Sequence, residues 1–327
     1  MAASRYPGSA APSTKSISAP LSPRLSTRLA SSQPYLLAAP ALALMTLFLF
    51  YPLVENLRIS LYDWNTLGDA KSFVGLANFA HVLTDRFFWS AVGHTLWFAG
   101  ATVTIGMTVA FIFAVWLNNP RMRGRGILRT LIFMPVVTSA AIVGIVIGKL
   151  LNPVFGPVSQ ILMDLHVTQQ PIDWLSDDHT VMWVLIAVGV WHGLGVGLVI
   201  LTAGLQSIPS DLYDAAAVDG ASGMQSHIHV TLPMMRPVLA TVFLLSILGG
   251  VAVFDLVFTL TGGGPFFASD VVGTYVYRYA FGLGVGESTQ IGYASAAGLF
   301  MGILILALTL IYLGVQRWSQ NREEMTS

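Results

Sequence analysis

The stretch HTVMWVLIAVGVWHGLGVGLVILTAGLQSIPS, from His179 to Ser210, contains no Asp, Glu, Lys or Arg. A bilayer-spanning helix needs roughly 17–25 apolar residues. In hydrocarbon the backbone must satisfy its own hydrogen bonds, and a helix does so within one segment. The stretch therefore reads as a transmembrane helix. Five more windows pass the same test: Leu36–Val54, Ala91–Asn118, Thr130–Gly148, Pro237–Phe254 and Ser288–Gln316. The expected fold class is an all-α membrane protein, a six-transmembrane-helix bundle with spans near 36–57, 91–117, 129–150, 180–205, 237–260 and 288–316.

Composition agrees. The chain is 54% hydrophobic and 10% charged, with a mean hydropathy of +0.70, whereas a soluble domain carries about 25% charged residues. Sixteen basic residues balance sixteen acidic ones. That balance argues against a nucleic-acid partner, which needs a basic face. The absence of cysteine excludes disulfides, thiolate nucleophiles and cysteine-type zinc sites.

The basic residues set an orientation through the positive-inside rule. With the N-terminus in the cytoplasm, the inner side holds Arg5, Lys15, Arg24, Arg28, Arg121, Arg123, Arg125, Arg129, Arg236, Arg317 and Arg322. The outer side holds Arg58, Lys71, Arg86, Lys149 and Arg278. An even number of spans then leaves both termini cytoplasmic. Residues 1–34 are rich in Ser, Ala and Pro and lack acids, which reads as a disordered cytoplasmic tail. Acid-poor segments bearing Arg and Ser also occur as organelle transit peptides, and that alternative stays open. Residues 35–317 are expected to form the transmembrane body and 318–327 a cytoplasmic C-terminal tail.

The loops carry little chemistry. The first outer loop contains Trp64, Phe87, Phe88 and Trp89, a set suited to an interfacial aromatic belt, and a short amphipathic piece near Ala77–Leu83. The loop from Asn152 to Asp178 carries four acids without metal-ligand spacing; Asp177, Asp178 and His179 read as a solvated helix entrance. The stretch TLTGGGPFFASD ends the fifth span sharply, since glycine and proline punctuate a helix. The segment GIVIGK, Gly144 to Lys149, has three residues between its glycines and lacks the Ser or Thr that a phosphate loop requires. There is no paired-histidine zinc motif and no nucleophile–base set, so no enzymatic activity is expected.

Two features lie inside the expected spans. Asp255 is an acid that interrupts the fifth span towards its outer end, and an acid in hydrocarbon normally faces a bundle interior or a watery cavity. Trp191 and His192 precede Gly193, Gly195 and Gly197, which permit close helix packing or a bend. Trp191, His192, Phe254 and Asp255 are the expected residues of a substrate path: flat faces for a sugar ring and polar partners for hydroxyls. A structural role for His192 and Asp255 is the competing reading.

Outward from the opening stretch lies a polar segment, residues 206–236, placed in the cytoplasm by the topology. Pro209 opens a helix and Ser210 caps it. Asp211 and Asp214 suit the positive end of its dipole. Ala215, Ala216 and Ala217 favour helix and leave a low surface, and Gly220 ends the turn. A second short helix with Met224, Ile228 and Leu232 along one side is expected to stop at Pro233. The product is a helix–turn–helix knob whose small residues, flanked by acids, suit a protein socket better than a lipid surface.

This segment resembles the EAA loop of ABC importer permeases, whose pattern is EAA, three residues, G, nine residues, I, one residue, LP. Asp214, Ala215 and Ala216, then Gly220, then Val230, Leu232 and Pro233 stand at that spacing, with Asp for Glu at 214 and Val for Ile at 230. FVGLANF, Phe73–Phe79, and FDLVFTLTGGGP, Phe254–Pro265, are similar to the carbohydrate branch (MalF/UgpA-like). The likeness covers roughly Pro34 to Arg317. It implies the type I importer fold, with Asp214, Ala215, Ala216, Gly220, Val230, Leu232 and Pro233 coupling the chain to an ATPase. It also implies a second permease subunit, two cytoplasmic ATPase subunits that bind ATP and Mg, an extracytoplasmic solute-binding protein, and residence in a bacterial-type cytoplasmic membrane. No cofactor is expected in this chain. The solute class it implies is sugars or related polyols. A secondary transporter driven by an ion gradient is the alternative; such carriers show internal repeats and buried ionisable groups, and this chain has no clear inverted repeat.

Overall fold

The computed structural model describes residues 37–65, 72–119, 122–283 and 289–326. The tail expected over residues 1–34 lies outside these residues, as do Lys71 and Arg121. The chain divides into two units, residues 1–55 and 56–327. Helix α1 (Leu37–Ser60) begins in the first unit. From Leu37 to Val54 every side chain is exposed, as suits a helix bathed in lipid. A π turn at Thr46–Phe50 directly precedes Pro52, whose missing N–H breaks the regular ladder.

The second unit follows with α2 (Ala77–Thr84), α3 (Arg86–Asn118), α4 (Arg125–Val137), α5 (Ala140–Leu150), α6 (Pro157–Asp164), α7 (Val181–Gln206) and α8 (Ser210–Val218). Next come α9 (Gly223–Val251), α10 (Asp255–Leu260), α11 (Val272–Phe281) and α12 (Ile291–Thr326). Among the described residues there is no strand, only an isolated bridge between Tyr62 and Phe73.

Three apolar clusters build the core. One joins Phe88, Ala99, Val251, Tyr275, Tyr293 and Met301. The next joins Phe98, Val143, Leu185, Val257 and Val271. The third, at the end carrying α8, joins Ala114, Leu117, Leu201, Leu205 and Met235. Glycine brings the long helices close. An added Cβ at Gly189 would stand 2.8 Å from the Phe98 ring, and one at Gly250 would stand 2.9 Å from the Ala99 backbone. Gly195 and Gly197 likewise pack on Phe133 and Ala110, and α7 stays unbroken, so close packing rather than a bend is their use. Small residues serve this way in membranes because lipid supplies no hydrophobic force between helices.

Among the described residues, five helices are long and apolar enough to cross a membrane, and a bent pair passes the same test when taken together, as a broken span or a re-entrant loop. The third expected span, 129–150, is thus not one straight helix: α4 and α5 meet at 100°. Pro135 lies in the last turn of α4, and Thr138 and Ser139 take extended backbone, with ψ of 141° and 137°. Proline lacks the N–H for its turn and its ring crowds the carbonyl four residues back. The uncharged break residues hide this from a charge-free window.

The fifth span also differs from expectation. It begins in the polar segment at Gly223 and ends at Val251. After the break at residues 252–254, Asp255 opens the separate short helix α10. Asp255 therefore sits in a first turn, where the dipole favours an acid, and does not interrupt a continuous helix. Pro233 does not stop a helix either. A π turn, His227–Thr231, carries the chain through it, with the Leu232 N–H bonded to the His227 carbonyl. The expected C-terminal tail continues α12 to Thr326. In the expected aromatic belt, Phe87 and Trp89 are exposed, but Phe88 is wholly buried against Tyr275 and Phe300.

Candidate functional site

The knob is built from local signals. Helix α8 starts after Pro209, the N-cap, with no side-chain cap bond; Ser210 stands inside the first turn rather than capping it. The helix ends at Val218, and Gly220 beyond its C-cap has φ of +80°. The Gly220 N–H reaches the Ala217 carbonyl at 3.1 Å and the Ala221 N–H reaches the Ala216 carbonyl at 2.9 Å. This is the paired closure that a left-handed residue permits. A capping box then starts α9: the Ser222 N–H donates to Gln225 Oε1 at 2.7 Å and the Gln225 N–H to Ser222 Oγ at 3.4 Å. The spacing Ser222-x-x-Gln225 announces this box in the sequence, although neither residue belongs to the loop motif.

Helix α8 buries no residue fully. Val218 is 89% exposed and Met224 70%, and Ile228 and Leu232 are also exposed. The side of α9 expected to carry Met224, Ile228 and Leu232 is thus bare. Ala215, Ala216, Gly220 and Val230 line one groove of about 440 Å³ with Asp219, Gln225 and His229. Asp214, Leu232 and Pro233 lie outside it. Tyr213 joins the two arms: its hydroxyl meets Thr231 Oγ1 at 2.9 Å, and His227 Nδ1 meets the same oxygen at 3.1 Å. Arg129 of α4 donates to the Leu117 carbonyl at 3.0 Å, a cation at the C-terminal end of α3 where the dipole favours it.

Within the helices, a cavity of about 420 Å³ opens between α3, α7 and α9. His192, Phe254 and Asp255 line it, together with Thr102, Ser246 and several glycines. Trp191 does not; it is 47% exposed on another face of α7. His192 has a second attachment: Nε2 lies 3.0 Å from the carbonyl of Thr138, at the α4–α5 break. The histidine thus serves the backbone group that the break releases, while its ring borders the cavity. Among the described residues, no Lys or Arg lines the cavity.

The far end is tied by buried polar groups. Asp85 caps α3, accepting the Phe87 N–H at 2.7 Å, and takes hydroxyl bonds from Tyr275 and, at 2.7 Å, from Tyr293. Burial pushes its carboxyl up, but the bonds from Tyr275, Tyr293 and the Phe87 and Phe88 backbone outweigh that and hold it below the usual carboxylate range. Burial and the bond to Asp85 push the Tyr275 phenol far above its ordinary value, so it stays a donor. The chain leaving α10 passes Phe267, whose ring lies under Arg278. It then reaches Thr95 of α3, whose hydroxyl accepts the Val272 N–H at 3.0 Å. There Arg278 pairs with Asp270 at 2.7 Å. Burial pushes the Asp270 carboxyl up, against the pull of Thr274 and Arg278. Within FVGLANF, Asn78 fastens the chain that leaves α1: its Nδ2 donates to the carbonyls of Ser60 and Tyr62, at 2.8 and 3.0 Å. Asp177 and His179 stand at the entrance of α7, as expected.

Comparison with known proteins gives a consistent picture. A family model described as binding-protein-dependent transport system inner membrane component matches residues 103–324. The probable ABC transporter permease protein YurN of Bacillus subtilis is 32% identical over 279 residues, 85% of this chain and 94% of its own. The trehalose/maltose transport system permease protein MalF of Thermococcus litoralis is 32% identical over 88% of this chain and 94% of its own. In fold, the chain is similar to one from the crystal structure of a bacterial ABC transporter involved in the import of the acidic polysaccharide alginate. The TM-score is 0.77 at 22% identity, covering 90% of this chain and 98% of that one.

Proposed function

Because this chain belongs to the family of binding-protein-dependent transport system inner membrane components, we propose that it is the permease subunit of an ATP-driven importer for sugars or related polyols. It works in a bacterial-type cytoplasmic membrane with both termini and the knob in the cytoplasm. A second permease completes the path, two ATPase subunits bind ATP and Mg, and an extracytoplasmic solute-binding protein delivers the solute. The chain carries no cofactor of its own. Residues 1–34 are its N-terminal tail, and residues 206–236 are its coupling loop.

The observation that carries this reading is a helix, α8, that buries no residue fully and is held out on a closed glycine turn. An exposed, pre-shaped element beside bare Val218, Met224 and Ile228 suits a socket on a partner. Ala215, Ala216, Gly220 and Val230 line the groove that receives the partner; Asp214, Leu232 and Pro233 frame it. ATP shifts the membrane path only as far as the ATPase prefers one position of this knob to another. In the path, Phe254 supplies a ring, Asp255 and His192 supply polar contacts, and Trp191 faces away. A cavity without a cation fits an uncharged solute.

The test is uptake by vesicles holding the full complex, screened over neutral saccharides, polyols and phosphorylated solutes. ATP- and binding-protein-dependent uptake of a neutral saccharide or polyol is expected. Uptake without ATP, driven by an ion gradient, would refute the reading.

A further inference from the structure

The link between the two arms of the knob is unusual in where it sits. Thr231 is the residue of the π turn with no exposed surface. Its hydroxyl is reached by Tyr213 from α8 and by His227 from the preceding turn of α9. A threonine hydroxyl has one donor and two acceptor positions, so it bridges both partners whichever imidazole nitrogen carries the proton. Around it, α8 and the start of α9 bury no residue fully. The packing that fixes most helix pairs is therefore thin here, and a part-buried hydrogen-bond chain centred on the buried Thr231 fixes the angle in its place. On the other side of Thr231, the same unbroken helix runs through Met235, which is fully buried, to Val242 in the core. It continues to Ser246 and Gly249 on the cavity wall.

From this we infer that Tyr213, Thr231 and His227 form a transmission pin. They make α8 and the fifth span one lever, so that displacement of α8 by the ATPase moves the cavity wall. These are positioning residues; none of them lines the groove of the knob or the cavity. The inference rests on the proposed coupling of α8 to an ATPase. His227 and Thr231 stand four residues apart at the two ends of the π turn, within reach on one side of the helix. A flexible joint at that place would let α8 move without the span.

The experiment uses the complete complex in vesicles with Tyr213→Phe, Thr231→Val and, as the conservative control, Thr231→Ser. Solute imported per ATP hydrolysed is measured, together with crosslinking of Ala215→Cys to the ATPase. Loss of one part-buried hydrogen bond is expected to lower that ratio by roughly fivefold in the first two variants. Crosslinking should be unchanged, and Thr231→Ser should stay near the unsubstituted ratio. A ratio within about twofold of the unsubstituted complex in Tyr213→Phe would overturn the pin. So would a complex that no longer assembles with Tyr213→Phe, since the contact would then serve docking. Absence of the crosslink in the unsubstituted background, with import intact, would instead overturn the coupling role on which the pin depends.

Discussion

Gly220 offers the sharpest perturbation of the knob. Its φ is +80°, and an added Cβ would meet no atom within 4 Å. Any cost of a side chain is therefore backbone strain and not a clash. That cost is about 1–2 kcal/mol for an ordinary L-residue in the left-handed region, more for a β-branched one and less for Asn. A penalty of this size lowers the closed-to-open ratio of the turn by a factor of roughly 5–30, which is the upper bound on the loss of closed turn. Helix α8 buries no residue fully, so the damage stays local and the membrane helices remain folded. In vesicles reconstituted with the complete complex, Gly220→Val is expected to lose import by up to that factor. Protease sensitivity at the turn should rise, and Gly220→Asn should retain most of the import. Normal import by Gly220→Val, or equal loss in Val and Asn variants, would refute the strain argument.

Other consequences concern the frame. His192→Leu removes the imidazole at the Thr138 carbonyl and is expected to destabilise the detergent-solubilised chain by about 0.5–1.5 kcal/mol; an unchanged melting temperature would deny the bond its role. Gly292→Ala would place Cβ 2.0 Å from the Tyr62 carbonyl oxygen, so its melting temperature should fall well below that of Gly298→Ala, where the nearest atom is 3.9 Å away. Asp85 has a lowered folded pKa, so its contribution is present above the ordinary carboxylate pKa and is lost as pH falls through the folded value. The melting temperature should drop over that acid window, and Asp85→Asn should flatten the profile; an equally steep profile in the variant would contradict this.

Charge-free windows locate the long helices because hydrocarbon tolerates so few alternatives, and α3, α7 and α12 start or end within a few residues of their windows. The breaks after Val137 and Val251 are not legible in that way. Thr138, Ser139 and Ala252–Phe254 carry no charge, so a hydropathy pattern runs straight over them. Pro135 is the available signal for the first. At the knob, residue types alone give the turn at Gly220, because its conformation depends on its own missing side chain. The meeting of Tyr213 with Thr231, eighteen residues on, depends on how the π turn aims the second arm, which spacing does not encode. His192 is readable as a polar group in a span, but its partner sits at a break that the sequence pattern conceals.

The central claim is that this chain is moved by an engine on separate subunits through α8. The chain has no cysteine, so a single Ala215→Cys gives an unambiguous crosslinking site on the groove. In native vesicles the expected product joins this chain to a nucleotide-hydrolysing subunit, with a yield that changes when ATP is added. Import that continues at full rate with no such product would contradict the account.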